Sequence, residues 1–384
     1  MKKIGVGFAG AGWMGGELMK RLAERDDAEI LALFQPNRAS TVRALEAAGL
    51  ASDLWTDDYD AMLERPEIEA VVIASPNRFH GEQAMKAQKA GKHVFCEKPC
   101  ATGFDEFRRQ IELERRRPEQ ITFVDYILYF DPMEQCLREM VAAGEFGKIT
   151  QIQINYRHPV NIAGGKAWKL SRDLMGDAIG MGIVHSLSAM VWLMASQARP
   201  AEVFATSMEA SVRPFEPEPV WNIMVRFDNG ATGLCLGNID DSNGYDAYHN
   251  LSGTEGGLIF DSQIDQPLKV RYWSQRATGR RWVYPLDAER CARENLAELA
   301  WPPGLSTPDS GNVIYHQTDA CVGHFMECIR KREASPLSFA RSAVFAEIGW
   351  AAQISAATGR PVGLPLDWES ATDFFQSQLQ PAAS

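Results

Sequence analysis

The sequence predicts an α/β protein in two parts: an N-terminal doubly wound parallel sheet, then an α+β domain built on a large, mostly antiparallel open sheet. Three observations carry this. Apolar runs of strand length alternate with helical periodicity over residues 1–125, a glycine-rich loop joins the first strand to the first helix, and neighbouring strands follow one another after Pro132 without helices between them. At 384 residues the chain is too long for one small core, so two domains, 1–125 and 126–384, are expected.

In the first part, Ile4 to Ala9 is a run of small and apolar residues suited to a buried parallel strand, and Trp13 to Ala23 has the spacing of a helix packed behind it. Residues 30–34, 70–74 and 93–96 read as further strands, with helices at 40–49 and 78–90. Strands alternating with helices wind right-handedly into a parallel sheet. In the second part a helix over 133–143 stops at Gly144. Alternating strands follow at 149–154, 201–208, 220–227, 231–239, 257–261 and 269–273. Helices at 313–331 and 338–357 close the pattern, and 214–219 and 301–308 read as surface loops.

The loop is Gly10-Ala11-Gly12-Trp13-Met14-Gly15. Following a strand and opening a helix, it is a dinucleotide fingerprint: Gly10 makes the tight turn, Gly12 admits the pyrophosphate to the backbone, and Gly15 lets the helix pack closely. The helix N-terminus supplies N–H groups and a positive dipole for the phosphates. The first domain is therefore expected to be an NAD(P)-binding Rossmann unit. The acidic residue that grips the NAD ribose is replaced by Gln35, followed by Pro36, Asn37 and Arg38. Gln35 can bond a hydroxyl and Arg38 can pair with a 2′-phosphate, so NAD and NADP both stay open.

Composition excludes several classes. A net charge of −11 argues against nucleic acid or an anionic membrane as partner. No stretch reaches the roughly 18 apolar residues of a membrane span, and the N-terminus is too quickly broken by glycine for a signal peptide, so a cytoplasmic protein is expected. The seven cysteines, Cys96, Cys100, Cys136, Cys235, Cys291, Cys321 and Cys328, show no paired metal spacing and read as reduced thiols, with no metal site.

Lys98 stands at the carboxyl end of a parallel strand beside a proline that stiffens the turn, and such strand ends face the ligand crevice. A lysine there, close to a nicotinamide, can exchange a proton with a substrate hydroxyl.

Three stretches together resemble the Gfo/Idh/MocA family of glucose-fructose oxidoreductases and inositol dehydrogenases: Ser75-Pro76-Asn77-Arg78-Phe79-His80, Ala90 to Pro99 with its Glu97-Lys98-Pro99, and Gly253-Thr254-Glu255-Gly256-Gly257. The segment from Gly349 to Pro365 is similar to the family's end, so the likeness spans most of the chain. It implies that Lys98 is catalytic and also contacts the cofactor, that Glu97 holds the cofactor or orients Lys98, and that Ser75, Asn77 and His80 line the nicotinamide pocket. His185 matches the family histidine and is expected to share the acid–base work. Where the family carries an Asp four residues earlier, this chain has Met181, which can neither hold a charge nor accept a strong hydrogen bond. Asp177 precedes His185 by eight residues, about 80 degrees around an α-helix, and substitutes poorly. Tyr126, Tyr156, His158, Trp168 and Lys169 complete the expected substrate contacts, Trp168-Lys169 resembling the family's Trp-Arg pair.

The expected activity is NAD(P)-dependent oxidation or reduction of a hydroxyl or carbonyl of a sugar, cyclitol or glycoside by a homodimer or homotetramer. The loss of the Asp at Met181 keeps an alternative open: an NAD-dependent glycoside hydrolase that oxidises, eliminates, hydrates and re-reduces, on an anionic sugar glycoside among others. A dinucleotide-sensing regulator without chemistry is the third reading, and the retention of Lys98 and His185 argues against it.

Overall fold

A computed structural model describes residues 2–210, 212–241, 248–261, 269–278 and 317–379. The chain forms two compact units. The first comprises Met1–Tyr126 with two later pieces, Asp173–Gly176 and Gln317–Ala343; the second takes Ile127–Arg172, Asp177–His316 and Val344–Ser384. The two later pieces lie in the span that the sequence assigns to the second domain.

The first unit is a six-stranded sheet of β1 (Ile4–Ala9), β2 (Ala28–Phe34), β3 (Trp55–Thr56), β4 (Ala70–Ile73), β5 (His93–Cys96) and β6 (Thr122–Val124), in the order β3-β2-β1-β4-β5-β6. Every pairing is parallel. All residues of β1 and β4 are buried, as expected of strands covered on both faces. The order reverses between β1 and β4, the switch point at which open α/β sheets bind ligands beyond their carboxyl ends. Phe95 of β5 stacks on Phe123 of β6 at 4.7 Å, and Phe325 meets Phe95 edge-on at 5.6 Å. Phe325 lies on the helix Thr318–Lys331, which thus completes the core of this unit. Glu114 ties down the segment that follows this helix, accepting from Ser338 Oγ at 2.8 Å and from the Ala340 amide at 3.1 Å.

The helix Phe104–Arg116 and strands β3 and β6 have no counterpart in the expected pattern. The helix buries only Phe104, Phe107, Gln110 and Ile111 of its thirteen residues, so its apolar stripe is thin.

The second unit carries a nine-stranded sheet: β7 (Ile149–Ile154), β8 (Tyr156–Arg157), β9 (Pro200–Met208), β10 (Val220–Phe227), β11 (Thr232–Asn238), β12 (His249–Gly253), β13 (Gly256–Asp261), β14 (Lys269–Ser274) and β15 (Val362–Gly363). The order is β14-β13-β12-β7-β11-β10-β9-β15, with β8 beside β11. The sheet is mostly antiparallel, but β11 runs parallel to β7 and β8. Strict alternation of burial along β10 and β11 turns one face to the core, where the helix Val184–Met194 lies almost wholly buried. The helices expected at 313–331 and 338–357 are seen as Thr318–Lys331 and Ala343–Thr358, the start of the first lying outside the described residues. The loop expected at 301–308 and Cys291 also lie outside them; the other six cysteines are buried thiols. Among the described residues no helix is long and apolar enough to cross a membrane, and no cluster of side chains could hold a metal ion.

Candidate functional site

The glycine loop lies at the switch point of the first sheet. Gly10 has φ +97°, and a Cβ there would fall 2.5 Å from the Ser75 amide nitrogen, against the end of β4. A Cβ on Gly15 would fall 2.5 Å from the Gly10 carbonyl oxygen, so the helix Trp13–Ala23 packs on the loop itself. Nothing lies within 4 Å of a Cβ built on Gly12. Gly12 caps the helix without any side-chain hydrogen bond, and the first turn holds no acidic residue, as suits an anion site at a helix N-terminus. Trp13 and Met14 are half-buried beside it.

Gln35 does something the spacing did not indicate. Its Oε1 accepts from the Ala11 amide at 2.8 Å and its Nε2 donates to Ser40 Oγ at 2.7 Å, so the side chain braces the loop. Asn37 caps the helix Arg38–Ala47, accepting from the Ser40 amide at 3.1 Å. The exposed Arg38 guanidinium lies 5.3 Å from the centroid of the Trp55 ring.

At the carboxyl ends of β4 and β5, the buried His80 ring bridges two loops, with Nε2 2.7 Å from the Ser75 carbonyl oxygen and Nδ1 2.7 Å from that of Pro99. Burial pushes the imidazole pKa down, while the two carbonyl contacts oppose it. Ser75 Oγ donates to Gln83 Oε1 at 2.7 Å, and Asn77 Nδ2 to the Met175 carbonyl at 2.9 Å. Glu97 is buried, its amide bonded to Ile73 O at 2.9 Å, and Lys98 is half-buried next to it. The glycine turn, Ser75, His80, Glu97 and Lys98 therefore share the carboxyl edge of one sheet.

Asp125, which the sequence reading passed over, belongs to the same edge. It follows β6 directly, is 1% exposed, and donates its amide to Cys96 O at 3.0 Å. The signal was available: an acidic residue immediately past a buried strand, as Glu97 is past β5. Tyr126 is 3% exposed, and burial pushes its phenol well up.

In the second unit, His185 lies in the first turn of the helix Val184–Met194, and the residues before it do not continue an α-helix. Ile179–Ile183 is a π turn in which the Val184 amide reaches back to Ile179 O. The α-helical spacing expected between Met181 and His185, and the angle expected for Asp177, are corrected by this wider turn. Within this turn a Cβ on Gly182 would fall 2.5 Å from Tyr156 Cε1, so only glycine fits against the Tyr156 ring. Asp177 accepts from the Gly180 amide at 2.7 Å and caps the turn. The Tyr156 ring centroid lies 5.7 Å from that of His158 and 6.1 Å from that of His185. Tyr156, His158, His185 and Gly182 thus form one cluster, and Met181 precedes Gly182 in the same turn. Trp168 and Lys169 make a separate pair on a short 3-10 turn, Lys169 Nζ 6.0 Å from the ring centroid of Trp168.

A parallel sheet with a glycine loop at its switch point, a lysine at the carboxyl edge, and a second sheet carrying a histidine–tyrosine cluster define a two-domain, dinucleotide-dependent oxidoreductase. The family model described as "Oxidoreductase family, NAD-binding Rossmann fold" matches residues 4–126, and that of the "GFO/IDH/MocA C-terminal domain" matches residues 135–259. The chain belongs to the Gfo/Idh/MocA oxidoreductase family. It is 29% identical to inositol 2-dehydrogenase of Corynebacterium glutamicum over 71% of this chain and 77% of that protein. It is 28% identical to 2,7-anhydro-N-acetylneuraminate hydratase of Mediterraneibacter gnavus, over 54% of this chain and 53% of that one. A levoglucosan dehydrogenase solved with NADH and levoglucosan shares the fold, with a TM-score of 0.78 at 22% identity over 95% of this chain and all of that one. The aldose-aldose oxidoreductase of Caulobacter crescentus superimposes with a TM-score of 0.76 at 21% identity, over 94% of this chain and 100% of that one.

Proposed function

We propose that this protein is an NAD(P)-dependent dehydrogenase of a sugar, cyclitol or glycoside, with residues 1–125 holding the cofactor and 126–384 the substrate and the assembly contacts. The observation that carries this is Lys98 at the carboxyl edge of the sheet whose glycine loop opens a helix with no side-chain cap. That cradle fits a dinucleotide: Gly12 and the amides of the first helical turn would take the pyrophosphate, and Gln35, Asn37 and Arg38 follow β2 on the side where the ribose would bind. When bound, the nicotinamide supplies the hydride acceptor for a carbinol carbon. Lys98 and His185 exchange the hydroxyl proton, an acid–base contribution worth roughly 100- to 10,000-fold. Glu97 and His80 hold the lysine's loop, while Tyr156, His158, Trp168, Lys169 and Met181 shape specificity.

Inositols, aldoses, sugar acids and aryl glycosides, each offered with NAD+ and with NADP+, test the reading. Stoichiometric reduced cofactor from a polyol or sugar is expected. If none gives reduced cofactor, isotope exchange or hydrolysis, the enzyme reading fails. The hydratase relative, together with methionine at position 181, favours a second reading in which the oxidation is transient. Turnover without net NADH and with deuterium uptake beside the oxidised carbon would select it.

The described cysteines, all buried thiols, support a reducing, cytoplasmic setting. Met208 and Met224, 53% and 43% exposed on neighbouring strands of the second sheet, support a homodimer or homotetramer formed through that face. Light scattering that gives the monomer mass at working concentration would overturn the assembly.

A further inference from the structure

One buried carboxyl group of the first unit is not used by the reading above. Among the described residues, no amide or hydroxyl donor reaches either oxygen of Asp125. Cys96 of β5 pairs with Val124 of β6 in parallel register, so the next residues, Glu97 and Asp125, lie side by side past the strand ends, and the Lys98 ammonium, the Cys96 thiol and the Cys321 thiol on the helix Thr318–Lys331 act on the Asp125 carboxyl. Burial keeps Cys321 a thiol, and that thiol is turned toward the Asp125 carboxyl. Two carboxylates in contact at a site closed to water repel each other, and a proton held between them turns two acceptors into a short, strong O–H···O bond.

We propose that Asp125 is a positioning residue for Lys98: with Glu97 it forms a proton-sharing carboxyl pair whose single negative charge holds the lysine at the end of β5. This rests on the reading of Lys98 as the proton-exchanging group. Burial raises the Asp125 carboxyl to about 6, against the pull of the Cys321 and Glu97 hydrogen bonds and the Lys98 charge. The pair therefore gains its single negative charge as pH rises through that region, and the field at Lys98 changes with it.

The test uses the full chain carrying Asp125→Asn, which keeps the shape and a hydrogen bond to Glu97 but cannot ionise. The wild-type pH profile of kcat/KM should break near pH 6, and the variant should lose that break, with kcat down about ten- to a hundredfold. A second readout needs no activity. A carboxyl whose pKa is raised on folding contributes stability below its unfolded value and loses it as pH rises through the folded one. The melting-temperature advantage of wild type over Asp125→Asn should therefore shrink between about pH 4 and pH 6. A flat difference, or a variant that keeps the wild-type break, overturns the pair. If Lys98→Met stays active while the stability difference still varies with pH, the pair stands and its role toward Lys98 is overturned. Should Asp125→Asn not fold, Cys321→Ala decides: removing the S–H donor should move the break upward, and an unmoved break overturns the proposal.

Discussion

Lys98→Met loses about 100- to 10,000-fold in kcat/KM for sugar oxidation while it binds NADH as the wild type does. The two halves of that expectation come from different parts of the same edge. Lys98 follows the last residue of β5, after the buried Glu97, and its positive charge acts on the buried carboxyl of Asp125. Methionine keeps the length and apolar stem of the side chain but cannot move a proton. The dinucleotide cradle follows β1, separated from β5 by β4, and is built from Gly10, Gly12, Gly15 and the amides of the helix Trp13–Ala23. Steady-state kinetics beside an NADH fluorescence titration separates the two. A variant with wild-type kcat/KM removes Lys98 from the chemistry, whereas loss of NADH binding would make its role structural.

Gly10→Ala produces the reverse pattern, weakening NADH binding at least about tenfold, which is ~1.4 kcal/mol. The residue sits at φ +97°, where a Cβ costs roughly 1–3 kcal/mol in strain. That Cβ would also fall 2.5 Å from Ser75 N and 2.6 Å from the Ala74 carbonyl, backbone atoms of the neighbouring strand end that have nowhere to go. The loop must lift away from β4, and the Ala11 amide that Gln35 braces lifts with it. A dissociation constant within twofold of wild type would show that the turn tolerates the methyl group.

Much of this edge could be read from residues alone. β1 and β5 were legible because each is a short apolar run bounded by glycine, lysine or histidine, and Val220–Phe227 because its burial alternates without exception. Gly10 to Gly15 and Lys98 were legible because chemistry at a strand end needs particular residue types. What escaped was set by partners distant in sequence. Strand β3 has two residues and β6 three, below any usable period, so Asp125 went unnoticed at the end of a strand that was itself unseen. The helix Phe104–Arg116 hid behind its charges. The π turn at Ile179–Ile183 escaped because nothing local distinguishes Ile-Gly-Met-Gly-Ile from an α-helical turn. The bracing by Gln35 also had to be seen, since a free amide at that position reads equally well as a ribose ligand.

The helix Thr318–Lys331 bears on how this protein is made. It brings Phe325 to the Phe95–Phe123 stack, yet it is encoded almost 200 residues after the strand that carries Phe123. On a ribosome, which adds residues at about 5–20 per second, the nucleotide unit waits for most of the second unit to be translated before its aromatic core can close. Until then its partly formed sheet must be kept from other nascent chains. A gene fragment cut at residue 126 would leave it permanently in that condition, so the boundary of the coding segment and the boundary of the folding unit do not coincide.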